Sequence, residues 1–308
     1  MQKKGVLVEK IDRNISVFNN LFRPGIKNKI NRLVRFPLQI FSRAIQQRIH
    51  RGFIFLVKTK TFFGYPITIH SFEYCLWITG CLGGTEVGLQ KYLVKNLPPN
   101  GVFFDVGAHH GFYSLLAHFL TDENKAQIHT FEPTDVHFAL TEANVRPYKN
   151  IHASQYAICE KSGTRKFYMT VGAGSTIEKD FFKDVASVDL SEFKTIEVSC
   201  TTLDEYCAKN NVVPTFIKID VEGSENEVLR GGVETIRGGY PTIAMEIWSK
   251  PHNNKNHIEA AQILVDLGYQ MYRIGNDGGL QVINFSELLT LLDIPHSSDN
   301  YLFRRDVV

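Results

Sequence analysis

Two short stretches carry residue types at a spacing that could hold a nucleoside cofactor. The first is Asp105-Val106-Gly107-Ala108-His109-His110-Gly111. There Gly107 permits a tight turn with close backbone approach, and Gly111 lets a helix start against the preceding strand. The middle glycine of the dinucleotide pattern G-x-G-x-x-G is missing. That weighs against a pyrophosphate, which needs close backbone approach at both positions, and so against a nicotinamide-dependent oxidoreductase. An acidic residue before the first glycine suits an ammonium group better than a phosphate. The second stretch is Glu132-Pro133, where Glu132 follows Gly111 by 21 residues. At the end of the next strand a carboxylate there can accept both ribose hydroxyls. A ligand that wants a ribose clamp, an amino-acid tail and no phosphate cradle is S-adenosylmethionine.

These residues need a scaffold, and the pattern from Gly83-Gly84 onward supplies one. A helix over 86–97 and the turn Pro98-Pro99-Asn100-Gly101 precede the strand Val102-Phe103-Phe104-Asp105-Val106, which enters the glycine loop and an apolar helix over 112–120. A strand over 127–131 ends at Glu132, and a helix over 135–145 follows. Further strands are expected over 152–159, 216–221, 242–247, 270–274 and 301–303, with a helix over 257–267. Around Lys161-Ser162-Gly163 the alternation in Lys166-Phe167-Tyr168-Met169 reads as a hairpin. The run Phe216-Ile217-Lys218-Ile219-Asp220-Val221 has the near-continuous apolar character of a parallel strand covered on both faces. Repeated βα units predict an α/β doubly wound sheet, with ligands gathered at the carboxyl ends of its strands.

The chain of 308 residues is 44% hydrophobic, 21% charged and 12% aromatic, which excludes collagen-like, disordered and disulfide-scaffold classes. Its net charge of +2 hides an asymmetry: residues 1–60 hold 14 Lys/Arg against Glu9 and Asp12, or +12, so the remainder carries −10. Apolar Ile30, Leu33, Val34, Leu38, Phe41, Ile45 and Ile49 recur at helical spacing, with Arg32, Arg35, Arg43 and Arg48 mostly on other faces. A basic amphipathic helix bent near Pro37 is expected, either packed on the body or adhering to an anionic membrane surface. No basic-aromatic module accompanies the charge, so nucleic acid is not the expected partner. Residues 1–80 read as a basic helical extension and 81–308 as the cofactor-binding domain. Neither a signal-peptide core nor an apolar run long enough to span a bilayer is present in the sequence. Five cysteines without a CxxC pair fit a reduced cytoplasmic compartment, with the arm touching the inner membrane face as the alternative.

The motifs together resemble the FkbM-type methyltransferases, a branch of the class I S-adenosylmethionine-dependent enzymes. The family loop D-V-G-A-N-x-G is matched from Asp105 to Gly111, with His109 replacing the usual asparagine. Phe131-Glu132-Pro133 is similar to F-E-P, and Ala157-Ile158-Cys159-Glu160-Lys161-Ser162-Gly163 to A-L-S-D-x-x-G. Ala173-Gly174-Ser175-Thr176-Ile177 resembles the serine turn that follows, and Thr201-Thr202-Leu203-Asp204 the T-L-D segment. Most specific is Ile217-Lys218-Ile219-Asp220-Val221-Glu222-Gly223-Ser224-Glu225, similar to K-I-D-V-E-G-x-E. The resemblance spans roughly residues 80–250. It implies a Rossmann-like class I methyltransferase sheet of seven strands, the last antiparallel, with an extra β-hairpin and an N-terminal helical extension. It further implies O-methylation of a hydroxyl on a sugar, glycolipid or polysaccharide unit, or secondary metabolite. The cofactor residues it points to are Glu86, Asp105, Gly107, Ala108, His109, Gly111, Glu132, Ala157, Glu160 and Asp220. A fold that has kept the cofactor without turnover is the non-enzymatic alternative, and His109 is its only motif-level sign.

Methyl transfer from a sulfonium is an in-line displacement, so alignment of the reacting groups can contribute on the order of 7 to 11 kcal/mol. A hydroxyl is a weak nucleophile, and a positioned base adds roughly 10² to 10⁴ in rate. Asp220 and Glu222, at the carboxyl edge of the sheet, are candidate bases, or one of them ligates a divalent metal that acidifies the hydroxyl. The competing role for both is to accept backbone amides at a strand-helix junction. Lys218 is a candidate partner for one of them, and Glu246 a candidate for the acceptor pocket. His110 is a second base candidate, since histidine titrates near neutrality and a helix N-terminus disfavours its protonated form. His118, His129, His137 and His152 form no ligand constellation in the sequence.

Overall fold

A computed structural model describes residues 2–22, 56–70, 85–169, 175–176, 194–250, 254–294 and 298–305. The amphipathic helix expected over 30–49 lies outside these residues, as does the turn over 173–177 apart from Ser175 and Thr176. The chain divides into two compact units, Met1–Asn96 with Asn276–Gly278, and Leu97–Gly275 with Gly279–Val308.

The first unit contains α1 (Gln2–Phe22), β1 (Leu56–Lys60), β2 (Pro66–His70) and α2 (Val87–Asn96). Helix α1 buries Leu7 and Ile11 and packs on α2, which buries Leu89 and Leu93, while Lys91 pairs with Asp12. This unit extends through α2 because the buried face of α2 packs with α1. The extension is not wholly helical: β1 and β2 form an antiparallel ribbon. Its turn is closed by Thr61, whose Oγ1 accepts the Tyr65 N–H at 3.0 Å, and by Gly64 at φ 97°.

The second unit is built on an eight-stranded sheet. Its parallel core is β3 (Gly101–Val106), β4 (Ala126–Phe131), β5 (Ile151–Ser154), β10 (Phe216–Ile219) and β11 (Thr242–Trp248). Beyond β11 come β14 (Ser298–Arg304), β12 (Gln270–Ile274) and β13 (Leu280–Ile283), giving the order β5-β4-β3-β10-β11-β14-β12-β13. Strand β14 runs antiparallel to both neighbours, as expected for a class I sheet. The eighth strand, β13, corrects the count of seven: it is a short antiparallel edge strand, two of whose four residues are exposed, so its sequence carries little apolar signal. The order reverses between β3 and β10, the crevice where doubly wound sheets bind ligands.

Helices α3 (Phe112–Leu120) and α4 (Asp135–Val145) cross over between the first strands. Later in the chain come α5 (Leu203–Asn210), α6 (Glu225–Arg230), α7 (Val233–Gly239), α8 (Lys255–Asp266) and α9 (Phe285–Leu292). Phe104, Ile217, Ile243 and Met245 of the sheet share one core with Leu203, Val228, Ala260 and Leu264 of the helices. Each of these side chains larger than alanine contributes roughly 1.5 to 3 kcal/mol for full burial.

The expected strand over 152–159 is two strands in different sheets. After β5 the chain breaks at Gln155-Tyr156, and β6 (Ala157–Ile158) joins a second sheet of order β6-β9-β7-β8. Its other members are β7 (Gly163–Met169), β8 (Ser175–Thr176) and β9 (Lys194–Thr201). The extra hairpin is thus part of a four-stranded sheet with its own small core of Ala157, Cys159, Phe167, Val198 and Cys200. That core sets the Cys159 and Cys200 sulfurs 3.0 Å apart, a pairing no sequence spacing announced.

Candidate active site

The register across the sheet puts the candidate residues in one row. Val106 pairs with Phe131 and with Ile219, and Ile219 pairs with Met245, which pairs with Tyr301. One residue further toward the carboxyl edge these strands present Glu132, Gly107 and Asp220, with Glu246 beside Asn300. Gly107 occupies the middle for a steric reason: a Cβ there would lie 1.8 Å from the Asp220 carbonyl oxygen, and φ is 83°. No side chain fits, so the glycine loop seats directly on the end of β10.

Four backbone amides of this loop donate within the protein. The Gly107 and Ala108 N–H groups donate to the Phe131 carbonyl at 3.1 and 2.9 Å, and Gly111 N–H to the Ala108 carbonyl at 2.7 Å. His109, in the left-handed region at φ 54°, donates its N–H to Glu132 Oε2 at 3.1 Å. From α4, Thr141 Oγ1 donates to the His109 carbonyl and Asn144 Nδ2 to the His110 carbonyl. Four amides that a phosphate would need are therefore committed within the protein.

Glu132 is held from both sides. Besides the His109 amide, its Oε1 accepts the Thr134 N–H at 3.0 Å and the Thr134 hydroxyl at 2.7 Å. His137 Nδ1 lies 3.0 Å from that hydroxyl, so it donates to Thr134 and steadies the carboxylate indirectly. A carboxylate has about four acceptor positions, which leaves roughly one, on Oε2, rather than the pair expected for two ribose hydroxyls. The sequence reading does not single out Thr134, although it stands only two residues past Glu132, and it names His137 only as a histidine outside any ligand constellation.

Several expected residues have other uses. Asp105 is 1% exposed and its Oδ2 accepts the Ser114 N–H at 2.9 Å and the Ser114 hydroxyl at 2.6 Å. Burial raises its pKa against the pull of Lys218. The carboxylate faces the first turn of α3 and is closed to an ammonium ligand. Glu160 is drawn 3.5 Å from Arg230 at the end of α6, and Ala157 is buried in β6, so neither joins the row. His110 is 5% exposed beneath the loop, which removes it from an open acid-base position. Its ring lies against His109, centroids 3.9 Å apart, and His109 in turn lies 4.4 Å from His137. His109 is the half-buried member of that trio. Ala108 is buried in the turn, and Gly111 at φ 78° caps α3. Glu86 belongs to the first unit, where it has φ 48° and its carbonyl accepts the Gln90 N–H that begins α2.

At the other end of the row, Asp220 keeps 24% of its side chain exposed while Lys218 Nζ stands 2.7 Å from Oδ2. Burial works to raise the Asp220 pKa, but attraction and hydrogen bonding from Lys218, with a hydrogen bond to Glu246, hold it below the ordinary value. Lys218 is thus the partner of Asp220, as expected. Glu222 behaves oppositely: burial, together with repulsion from Asp220 and Glu225, pushes it up to about 8. Its backbone is left-handed at φ 55°, followed by Gly223 at φ 94°. His109 lowers the pKa of both acids, so the imidazole belongs to their neighbourhood. Beside them the Trp248 Nε1–H donates to Glu246 Oε2 at 3.0 Å. Among the described residues no three His, Cys, Asp or Glu side chains are arranged as a metal-ligand set.

The comparison with known proteins meets this geometry directly, for a family profile described as "Methyltransferase FkbM domain" matches residues 105–271. The chain belongs to the FkbM methyltransferase family. The FkbM match begins at the glycine loop and ends in β12, so it holds Gly107, Glu132, Asp220 and Glu246 of that row. Two curated relatives are the 2-O-methyltransferase NoeI of Sinorhizobium fredii, 29% identical over 45% of this chain, and the 31-O-demethyl-FK506 methyltransferase FkbM of Streptomyces tacrolimicus, 31% identical over 44%. The alignments span 60% of the length of each relative. Among solved structures, a methyltransferase FkbM from Methylobacillus flagellatus KT is 16% identical, with a TM-score of 0.43 over 68% of this chain and 44% of that one.

Proposed function

We propose that this FkbM-family chain is an S-adenosylmethionine-dependent O-methyltransferase acting on a hydroxyl of a sugar, a glycolipid or polysaccharide unit, or a secondary metabolite. The observation that carries the cofactor reading is the inward commitment of the loop amides at Gly107, Ala108, His109 and Gly111, with Glu132 clamped beside them. Such a loop offers a carboxylate and close backbone approach but withholds those donors from a pyrophosphate, which argues against the nicotinamide alternative. The names of the two relatives, a 2-O-methyltransferase and a 31-O-demethyl-FK506 methyltransferase, both describe O-methylation and favour oxygen as the acceptor atom.

The cofactor, when bound, supplies an electrophilic methyl group on a sulfonium. Gly107 would let it approach the backbone closely, and Glu132, with an acceptor position left on Oε2, would hold the ribose. Two strand spacings away, about 10 Å along the row, the carboxylates of Asp220 and Glu222 mark the side where a positive sulfonium and an acceptor hydroxyl are favoured. Asp220 is ionised at neutral pH because Lys218 holds it so, and it is the base available there. Glu222 carries its proton near neutrality and becomes a base as the pH rises through about 8. Half-buried His109 stands in the place of the usual asparagine and shares the acids' neighbourhood. Asp220→Asn combined with Glu222→Gln should abolish methyl transfer while S-adenosylhomocysteine binding persists; turnover in the double variant would reject the base assignment.

Calorimetric titration with S-adenosylhomocysteine, with NADH as the control, tests the cofactor. Micromolar binding of the first, lost in Glu132→Ala, is the expected result. Binding of NADH instead would overturn the reading.

A further inference from the structure

The acids at the carboxyl edge sit on two different connections, and one buried pair ties these together. Glu225, the first residue of α6, turns its Oε1 back to accept the Val221 N–H at 3.2 Å and the Gly223 N–H at 3.3 Å. Those bonds close the turn in which Glu222 adopts its left-handed conformation. From α8, His257 Nδ1 stands 3.1 Å from the Glu246 carbonyl, to which it donates, and 3.0 Å from Glu225 Oε2. Both side chains are fully buried. Two asparagines of the same turn add to the tie: Asn256 Nδ2 donates to the Gly223 carbonyl at 2.8 Å and Asn254 Nδ2 to the Trp248 carbonyl at 2.9 Å.

A buried carboxylate-imidazole pair is a poor stabiliser of a fold, since desolvation offsets its attraction and apolar residues of similar volume do as well. Its contacts here are to the two segments that carry Asp220, Glu222 and Glu246. We propose that Glu225 and His257 are positioning residues that fix the spacing of these three carboxylates across the sulfonium side of the site. The inference rests on the S-adenosylmethionine reading above. His257 reaches the β11 end and the β10 turn through one ring nitrogen, so its loss releases the segments from each other without touching the cofactor loop.

The test needs no acceptor. S-adenosylmethionine and S-adenosylhomocysteine differ in the sulfonium charge, so the ratio of their dissociation constants reads how closely the carboxylates face that charge. It is measured on the full chain at a pH of about 9, where Glu222 is ionised. Wild type should prefer the sulfonium, and His257→Ala should shrink that preference by about threefold or more, the effect of moving a charge by about 1 Å at this range. Binding of the homocysteine form should change by less than about twofold, which a general loss of structure would not allow. His257→Asn, whose amide keeps a donor near the Nδ1 position, should restore the preference. His257→Gln, polar but with its donor displaced, should not, and it serves if the alanine variant fails to fold. An unchanged ratio in the alanine and glutamine variants overturns the inference, as does a wild type that binds both ligands equally. A wild type that binds neither overturns the cofactor reading itself.

Discussion

Gly107 is the residue on which the site turns, because the loop and the end of β10 touch through its missing side chain. Gly107→Ala places a methyl group 1.8 Å from the Asp220 carbonyl at a φ of 83°, so the loop must lift. A destabilisation of about 1 to 3 kcal/mol with loss of S-adenosylhomocysteine binding is expected, measured by denaturant unfolding and calorimetry. Glu222 leads to a second prediction through linkage. Its pKa is raised in the folded protein from 4.5 to about 8, so between those values the native state binds more protons than the unfolded one. Stability must therefore fall as pH rises through that window, by at most about 1.4 kcal/mol per pH unit, and level off above it. Asp220, whose pKa is lowered, acts the other way and loses its contribution only as the pH falls below the ordinary aspartate range. Unfolding curves from pH about 5 to 9 should show the decline in wild type and a flatter line in Glu222→Gln. The same variant separates the bases: a rate that rises toward pH about 8 in wild type but not in Glu222→Gln identifies Glu222 as the group taking the proton.

At the scale of elements, the helices after the second sheet are placed by small residues and caps. Gly231 closes α6 where a Cβ would lie 2.1 Å from the Cys159 carbonyl, so Gly231→Ala should push the β6 turn off the helix at a cost of about 1 to 3 kcal/mol, read from thermal unfolding. Thr202 caps α5 by accepting the Glu205 N–H at 3.0 Å, and Asp204 accepts the first amides of α7 from Glu234 and Thr235. The T-L-D segment is therefore a junction between two helices. Helix α9 carries a full capping box, with Asn284 accepting the Glu287 N–H at 3.0 Å and Glu287 accepting the Asn284 N–H at 2.7 Å. The Asn284-Phe285-Ser286-Glu287 spacing was a readable start signal for this unforeseen helix, and β13 just before it was not. A half-exposed edge strand of four residues has neither the alternation nor the apolar run by which strands are recognised.

For the whole molecule, the charge asymmetry supports a proposed contact between the basic N-terminal segment and anionic lipid. No described helix is long and apolar enough to cross a membrane. Deleting residues 1–60 is a poor test, since Leu7 and Ile11 are core residues of the first unit. Charge reversal at Arg32, Arg35, Arg43 and Arg48 is the better one. Co-sedimentation with phosphatidylserine vesicles should fall in that variant and with added salt in wild type; insensitivity to both would end the proposal.

What was legible in the sequence alone was whatever depends on neighbours along the chain. The strand-loop-helix unit around Gly107, the distance from Gly111 to Glu132, the buried character of the strand ending at Asp220 and the doubly wound order follow from local sterics and periodicity. Tertiary structure decided how each carboxylate is used, because a charge is committed by what folds against it. Ser114 takes Asp105, Arg230 takes Glu160, and Lys218 holds the titration of Asp220 down while burial, with the charges of Asp220 and Glu225, pushes that of Glu222 up. The Glu225–His257 tie joins residues 32 apart in sequence that meet only because β11 and α8 return to the edge where β10 ends.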